Sequence, residues 1–212
     1  MEAFNKQISM IDTKIILITG GSCSGKTALS NYLASNLPKE SVILSQDNYF
    51  IDYSKYTNEE LDDINFDIPE AFLTDVLIDN VKNLCNHRPV QLPIYDFRLH
   101  KTGHWETYNK EPSYIIIEGI MTFESKDLYD MASVKIFVNT PLDIMLWRRL
   151  NRDRSDRFFD IKSSLSRYIK FIRHSYTNII LPNINRSDLI INGTAPYERS
   201  IIKEILSLID NL

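Results

Sequence analysis

The sequence predicts an α/β fold in three layers, a parallel sheet with helices on both faces, and three observations support that prediction. The first is a β-branched apolar run, Lys14-Ile15-Ile16-Leu17-Ile18-Thr19, that leads directly into Gly20-Gly21-Ser22-Cys23-Ser24-Gly25-Lys26-Thr27. The second is the alternation of short apolar runs (41–44, 114–117, 134–138 and 188–191) with amphipathic stretches. Apolar runs that lack polar alternation belong to strands covered on both faces. The third is that these runs end on polar residues: Gln46-Asp47, Glu118-Gly119 and Asn139-Thr140. A parallel sheet gathers such strand ends on one rim, where ligands bind.

Each part of the 20–27 stretch has a physical task. Gly20 and Gly25 permit backbone dihedrals that a side chain would resist, so successive N–H groups of Gly21, Ser22, Cys23 and Ser24 can turn inward and cradle phosphate oxygens. The spacing predicts a helix over 27–37, with Ala28, Leu29, Tyr32, Leu33 and Leu37 on its apolar face. Its N-terminal dipole and free N–H groups favour an anion. Lys26 would meet the β- and γ-phosphates, and the Thr27 hydroxyl would ligate Mg²⁺. A glycine-rich turn without a ligand is the bland alternative, and the flanking strand and helix argue against it. Cys23 reads as a small residue tolerated at a variable loop position.

The remaining elements follow in order. Residues 1–13 carry no assignable pattern. After the strand at 41–44, residues 51–66 are polar and tyrosine-rich and read as a loop or short helices. Pro69 stands at a first helical position after Asp67, predicting a helix to about Leu84. Residues 90–95 alternate as a strand that Pro93 confines to an edge. With Gly103 and the polar-aromatic stretch 104–108, they predict a hairpin flap over 88–110. Pro141 opens an arginine-rich helix, a second helix covers 160–180, and a last amphipathic helix covers 196–208. The region 148–165 reads as a helical lid. No repeat or linker divides the 212 residues, so a single domain is expected.

Composition narrows the function. A formal net charge of −4 gives no support for a nucleic-acid surface. Two cysteines, Cys23 and Cys85, form neither a disulfide framework nor a metal spacing. Without a cleavable leader pattern or an apolar run near 18 residues, no membrane partner is expected and a reducing cytoplasm is the default.

Phosphoryl transfer needs positioning, Mg²⁺, cations for the developing charge, and a carboxylate for the acceptor hydroxyl. Asp47, at a strand end, would accept the hydroxyl proton; an acid capping a loop is its alternative. Glu118 would bind a water on Mg²⁺, with Asp47 a further candidate beside the metal; a solvated strand-terminal acid is the alternative for Glu118. Arg148, Arg149, Arg152, Arg154 and Arg157 crowd ten residues. Such like charges repel by about 0.2–0.5 kcal/mol per helical pair. Asp143, Asp153 and Asp156 offset part of this, and the cluster reads as a lid over polyphosphate or as a solvated helix. Tyr95, Asp96, Phe97 and His100 would stack on and hydrogen-bond a planar base, or serve as core and turn residues.

An ordered set of motifs spanning about 14–195 resembles the uridine kinase/phosphoribulokinase family. It comprises the loop at 20–27, Leu-Ser-Gln-Asp-Asn-Tyr-Phe (44–50), Asn-Phe-Asp-Ile-Pro-Glu-Ala-Phe (65–72), Pro-Ile-Tyr-Asp-Phe (93–97) with His100, Ile-Glu-Gly-Ile (117–120), Lys-Ile-Phe-Val (135–138), Arg-Arg-Leu-Asn-Arg-Asp (148–153) and Ser-Asp-Leu-Ile-Ile (187–191). The resemblance implies a P-loop kinase, with Asp47 as base, Asp67 on the ribose 2′- and 3′-hydroxyls, and Tyr95 and His100 on the pyrimidine edge. Phe97 would stay beside the base, Arg149 would contact substrate, and Arg152 and Arg157 would lie near the phosphates. It also implies a homotetramer. Two positions depart from the family pattern: Phe159 stands where a second lid arginine is usual, and Arg167 where a glutamine is usual, which makes Arg167 a candidate substrate contact of altered character.

The expected reaction is phosphorylation of the 5′-hydroxyl of uridine or cytidine by ATP, or by GTP, with Mg²⁺. Another acceptor, such as nicotinamide riboside, ribulose 5-phosphate or pantothenate, is the alternative within enzymes. A nucleotide-binding switch is the alternative outside them, although no Asn-Lys-x-Asp guanine motif follows the loop.

Overall fold

A computed structural model describes residues 13–155 and 160–210. Its centre is a five-stranded, all-parallel sheet in the order β2-β5-β1-β6-β7, formed by β1 (Lys14–Thr19), β2 (Ser41–Ser45), β5 (Tyr114–Glu118), β6 (Val134–Asn139) and β7 (Leu189–Asn192). Alternation of side chains along each strand sorts the core into two layers. Ile16, Ile18 and Ile116 face α1 (Lys26–Asn36) and α8 (Arg199–Asp210), where Leu29, Leu33, Ile202, Ile205 and Ile209 are buried. Ile15, Leu17, Ile115 and Ile117 face α3 (Thr74–Cys85) and α4 (Lys126–Met131), against Leu77, Val81, Leu84 and Leu128. Burying each such aliphatic side chain contributes about 1.5–3 kcal/mol, and the buried interiors of β1 and β5, Ile15–Ile18 and Ile115–Ile117, are accordingly aliphatic throughout.

The expected hairpin forms as β3 (Val90–Asp96) and β4 (Lys101–Tyr108), paired antiparallel with an irregularity between Ile94 and Tyr95. Its turn is held by Asp96, whose Oδ1 accepts from the Arg98 and Leu99 N–H groups at 2.8 and 3.1 Å. Both tryptophans are outside the core: Trp105 on β4 is 50% exposed, and Trp147 on α5 (Leu142–Ser155) is 66% exposed.

Two expectations are corrected. Pro69 opens a separate 3₁₀ turn, Pro69–Ala71, and α3 starts only at Thr74, without a side-chain cap. Chain separating the two elements lets Phe72 stack on Phe50, at 4.4 Å between ring centroids. The helix expected over 160–180 is a longer run: α6 (Ile161–Arg167), π-helical turns at Tyr168–Ile172 and Tyr176–Ile180 around α7 (Arg173–Ser175), then 3₁₀ turns through Arg186. Within 51–66 a short α2 (Asn58–Asp63) is capped by Thr57 and Glu60, each side chain satisfying the other's backbone N–H.

A third apolar cluster, including Phe50, Phe72, Tyr95, Ile120, Phe137 and Tyr176, underlies the carboxyl end of the sheet. There Gln46, 2% exposed, lies over Gly119 and accepts from the Met121 N–H at 2.9 Å. A methyl group at 119 would overlap Gln46 Oε1 and Cβ. Gly119→Ala should therefore destabilise by about 1–3 kcal/mol in urea unfolding and displace the turn after β2 that carries Asp47; an unchanged unfolding midpoint would show that Gln46 yields freely.

Candidate active site

The loop between β1 and α1 takes the shape its glycines allow. Gly20 has φ 148° and Gly25 φ 110°, and a Cβ at Gly20 would stand 2.6 Å from the Val138 carbonyl oxygen. Cys23 also takes a positive φ, 64°, in the left-handed region that costs a side chain strain. Lys26 is only 7% exposed, and its Nζ donates to the Gly21 carbonyl at 2.9 Å. The β6 end supports the loop from behind: Thr140 Oγ1 donates to the Ser24 carbonyl at 2.7 Å.

Register sets the neighbouring chemistry. Ser45 and Ile18 both pair with Glu118, so the ends of β2, β5 and β1 lie in one row. Glu118 Oε1 accepts from Ser45 Oγ at 2.8 Å and Thr27 Oγ1 at 3.3 Å. Burial pushes the Glu118 carboxyl above its usual range; the Lys26 ammonium opposes this, Asp47 adds to it, and the two hydroxyls oppose it again. Glu118 and Thr27 offer the hard oxygens that Mg²⁺ takes alongside substrate phosphates. Among the described residues, no group of three or more His, Cys, Asp or Glu is arranged to hold a metal ion.

These groups share a cleft of about 860 Å³. Ser22, Cys23, Gly25, Lys26, Thr27, Asp47 and Glu118 line it, as do Asp67, Phe97, His100, Arg149, Arg152 and Arg167. Asp67 is half-buried, and its N–H donates to Asn65 Oδ1 at 3.0 Å. Its carboxyl is raised chiefly by burial; Arg149 opposes this, Asp47 reinforces it, and Arg167 and Arg152 oppose it more weakly. Gly20, Gly21 and Ser24 do not line the cleft. Neither does Tyr95, which is 7% exposed, packs among Phe50 and Phe97, and turns its hydroxyl to the Ile51 carbonyl at 3.4 Å. Arg157 and Phe159 lie outside the described residues.

Asp143 is exposed, whereas Asp153 is 1% exposed. Its Oδ2 lies 3.3 Å from Arg149 Nε and accepts from Ser164 Oγ at 3.0 Å, while Oδ1 accepts from Arg152 Nε and Nη2 at 3.2 and 3.0 Å. One carboxylate thus orients two guanidiniums and ties α5 to α6. Arg149 Nη1 also donates to Ser22 Oγ at 3.1 Å, reaching the phosphate loop. The stretch after β7, Gly193 to Tyr197, lines the cleft too, and the Tyr197 hydroxyl donates to the Gly25 carbonyl at 3.0 Å. Sequence reading missed this stretch because it bears no charge or motif. Asp153 was legible only as one of several offsetting acids.

Glu118 carries a stability cost that can be tested. Its folded carboxyl is raised above the 4.5 of a free glutamate, so the unfolded chain ionises first and the protein loses stability as pH climbs above 4.5. Glu118→Gln, which keeps the shape and accepts the same hydroxyls, should raise the thermal midpoint of the ligand-free protein at neutral pH. A midpoint equal to or below the parent's would mean that Lys26 and the hydroxyls fully compensate the buried charge.

No helix among the described residues is long and apolar enough to cross a membrane. The Phosphoribulokinase / Uridine kinase family model matches residues 15–197. A uridine kinase of Staphylococcus epidermidis is 42% identical over 184 residues, 86% of this chain and 88% of its own. One of Chlamydia pneumoniae is 36% identical over 91% of this chain and 86% of its own. In fold, the chain is similar to the solved phosphoribulokinase of Rhodobacter spheroides, with a TM-score of 0.60 at 14% identity, covering 88% of this chain and 74% of that one. With the phosphate loop, the parallel sheet and the matched span in agreement, the chain belongs to the phosphoribulokinase/uridine kinase family.

Proposed function

We propose that the protein transfers the γ-phosphoryl group of ATP to the 5′-hydroxyl of uridine or cytidine. One observation carries the reading: a single cleft is lined by the phosphate loop, by Asp47 and Glu118, and by Asp67, Phe97 and His100. The relatives named uridine kinase, alike over most of the chain, support the same acceptor.

In this reaction the loop N–H groups and Lys26 hold the triphosphate, and Asp67 holds the ribose 2′- and 3′-hydroxyls through its carboxylate. Phe97 and His100 flank the base. Asp47 takes the proton of the 5′-hydroxyl as that oxygen bonds to the γ-phosphorus; the bond to the β–γ bridging oxygen breaks and ADP departs. Arg149 and Arg152 stabilise the charge that develops on the transferring group. Thr27 and Glu118 would hold Mg²⁺, which when bound supplies charge neutralisation on the β- and γ-oxygens. Tyr95, from its position in the apolar cluster, would support Phe97 from behind and leave the base edge to His100. Arg157 remains a candidate for the phosphate side on family resemblance alone. The same likeness supports a homotetramer; GTP stands as an alternative donor, and one kinase domain in a reducing cytoplasm is the reading from length and cysteine usage.

Two tests bear on this mechanism. Asp47→Asn should leave ATP affinity within a few-fold and lower kcat by at least about 10²-fold; full turnover in that variant removes Asp47 from the role. Asp153→Asn withdraws the charge that Arg149 and Arg152 share, and Ser164→Ala releases α6 from Asp153 without touching charge. We expect kcat to fall roughly 10–100-fold in the first and several-fold in the second, with the nucleoside KM changed less. Parent-like kcat in both folded variants would reduce Asp153 to a packing role.

A further inference from the structure

We propose that Arg167 makes the acceptor end of the cleft selective for neutral bases presenting carbonyl oxygens, of uracil type, against bases presenting amino groups or carrying positive charge. The inference rests on the nucleoside kinase reading above and specifies which acceptor that site takes.

Arg167 is fixed in place by three contacts. Its Nη1 donates to the Leu61 carbonyl at 2.9 Å and to Asp62 Oδ1 at 3.4 Å, and its Nη2 donates to the Ile64 carbonyl at 3.3 Å. Its guanidinium lies over the Phe66 ring, 5.0 Å from the centroid. That ring is nearly parallel to His100, at 17° and 6.3 Å. Phe66, Phe97, His100 and Arg167 all line the cleft, so a fixed cation borders the aromatic end where a planar base would lie. Three of the five guanidinium N–H groups are used in these bonds, and the remaining two can only donate.

The charge there is only partly compensated. The Arg167 side chain is 16% exposed, but its ion-pair partner Asp62 is 69% exposed, where solvent and salt screen the attraction. Arg149 and Arg152 share the one carboxylate of Asp153, with Asp67 and Asp47 the other carboxylates that act on this group of arginines. Burial lowers the basicity of Arg167, Asp62 partly restores it, Arg149 lowers it again and Asp67 restores a little, with the net effect downward. A guanidinium so placed stays protonated at neutral pH. Carbonyl oxygens satisfy it, an amino group opposes donor to donor, and a pyridinium adds repulsion.

The test compares kcat/KM for uridine, cytidine and nicotinamide riboside, with products identified by mass spectrometry, in the parent protein, Arg167→Gln and Asp62→Asn. The parent should favour uridine over cytidine by about 10-fold or more, the scale of one hydrogen bond to a charged group. Nicotinamide riboside should rank last. Arg167→Gln should narrow both preferences by about five-fold or more, and Asp62→Asn, which strips the cation of its partner at an exposed position, should widen the preference against nicotinamide riboside. A purely structural role for Arg167 lowers all three rates together and leaves the ratios fixed. Ratios unmoved in both variants while uridine turnover persists overturn the inference. Should Arg167→Gln be inactive, the direction of the Asp62→Asn ratio decides. A parent protein that phosphorylates another acceptor and not uridine overturns the proposed reaction, and this inference with it.

Discussion

A row of three strand ends sets the geometry on which everything else depends. Ser45, Glu118 and Ile18 lie side by side because β2, β5 and β1 pair in register, and a slip of one residue would turn Glu118 to the α3 and α4 face, away from Thr27. The apolar strand interiors enforce that register: Ile115 and Ile117 must face α3 and α4 while Ile116 faces α1. Two chemically opposite demands are thereby met by one device. Hydrophobic packing fixes the strands, and the strands hold a carboxylate beside Thr27 and Lys26 where burial raises its affinity for a proton or a cation.

The opposite wall is organised by polar contacts. Asp153 holds two arginines from a site closed to solvent, and Arg167 fastens α2 through backbone carbonyls. Both arrangements spend hydrogen bonds on fixing a guanidinium plane, and a fixed plane is what directional recognition of oxygen requires. Gln46 plays the comparable part on the sheet side. Its amide lies over Gly119 and accepts from Met121, steadying the turn from which Asp47 projects.

Much of this was legible in the sequence, for identifiable reasons. The phosphate loop, the strand runs and the carboxylates at their ends announce themselves because glycine spacing and apolar periodicity are local properties. The hairpin was legible from Pro93, Gly103 and alternation. Where the reading failed, the deciding interaction was long-range. The start of α3 has no side-chain cap to mark it, and Pro69 serves a short turn whose purpose is to bring Phe72 onto Phe50. Tyr95 sits beside base-facing residues in sequence, yet strand alternation and the Phe50 cluster draw its ring inward. Asp153 differs from Asp143 only in burial, which depends on Ser164 arriving from α6. The π-helical turns at 168–172 and 176–180 leave the apolar pattern helix-like and so gave no warning.

The placement of the two tryptophans has an optical consequence. Trp105 rides on the hairpin and Trp147 on the arginine-bearing helix α5, both largely in solvent, and the packed layers on either side of the sheet contain no indole. Indole emission from the native protein therefore reports the surface of these two elements. Chemical denaturation moves neither fluorophore far from the water it already meets, so a flat emission profile would be poor evidence of an intact core.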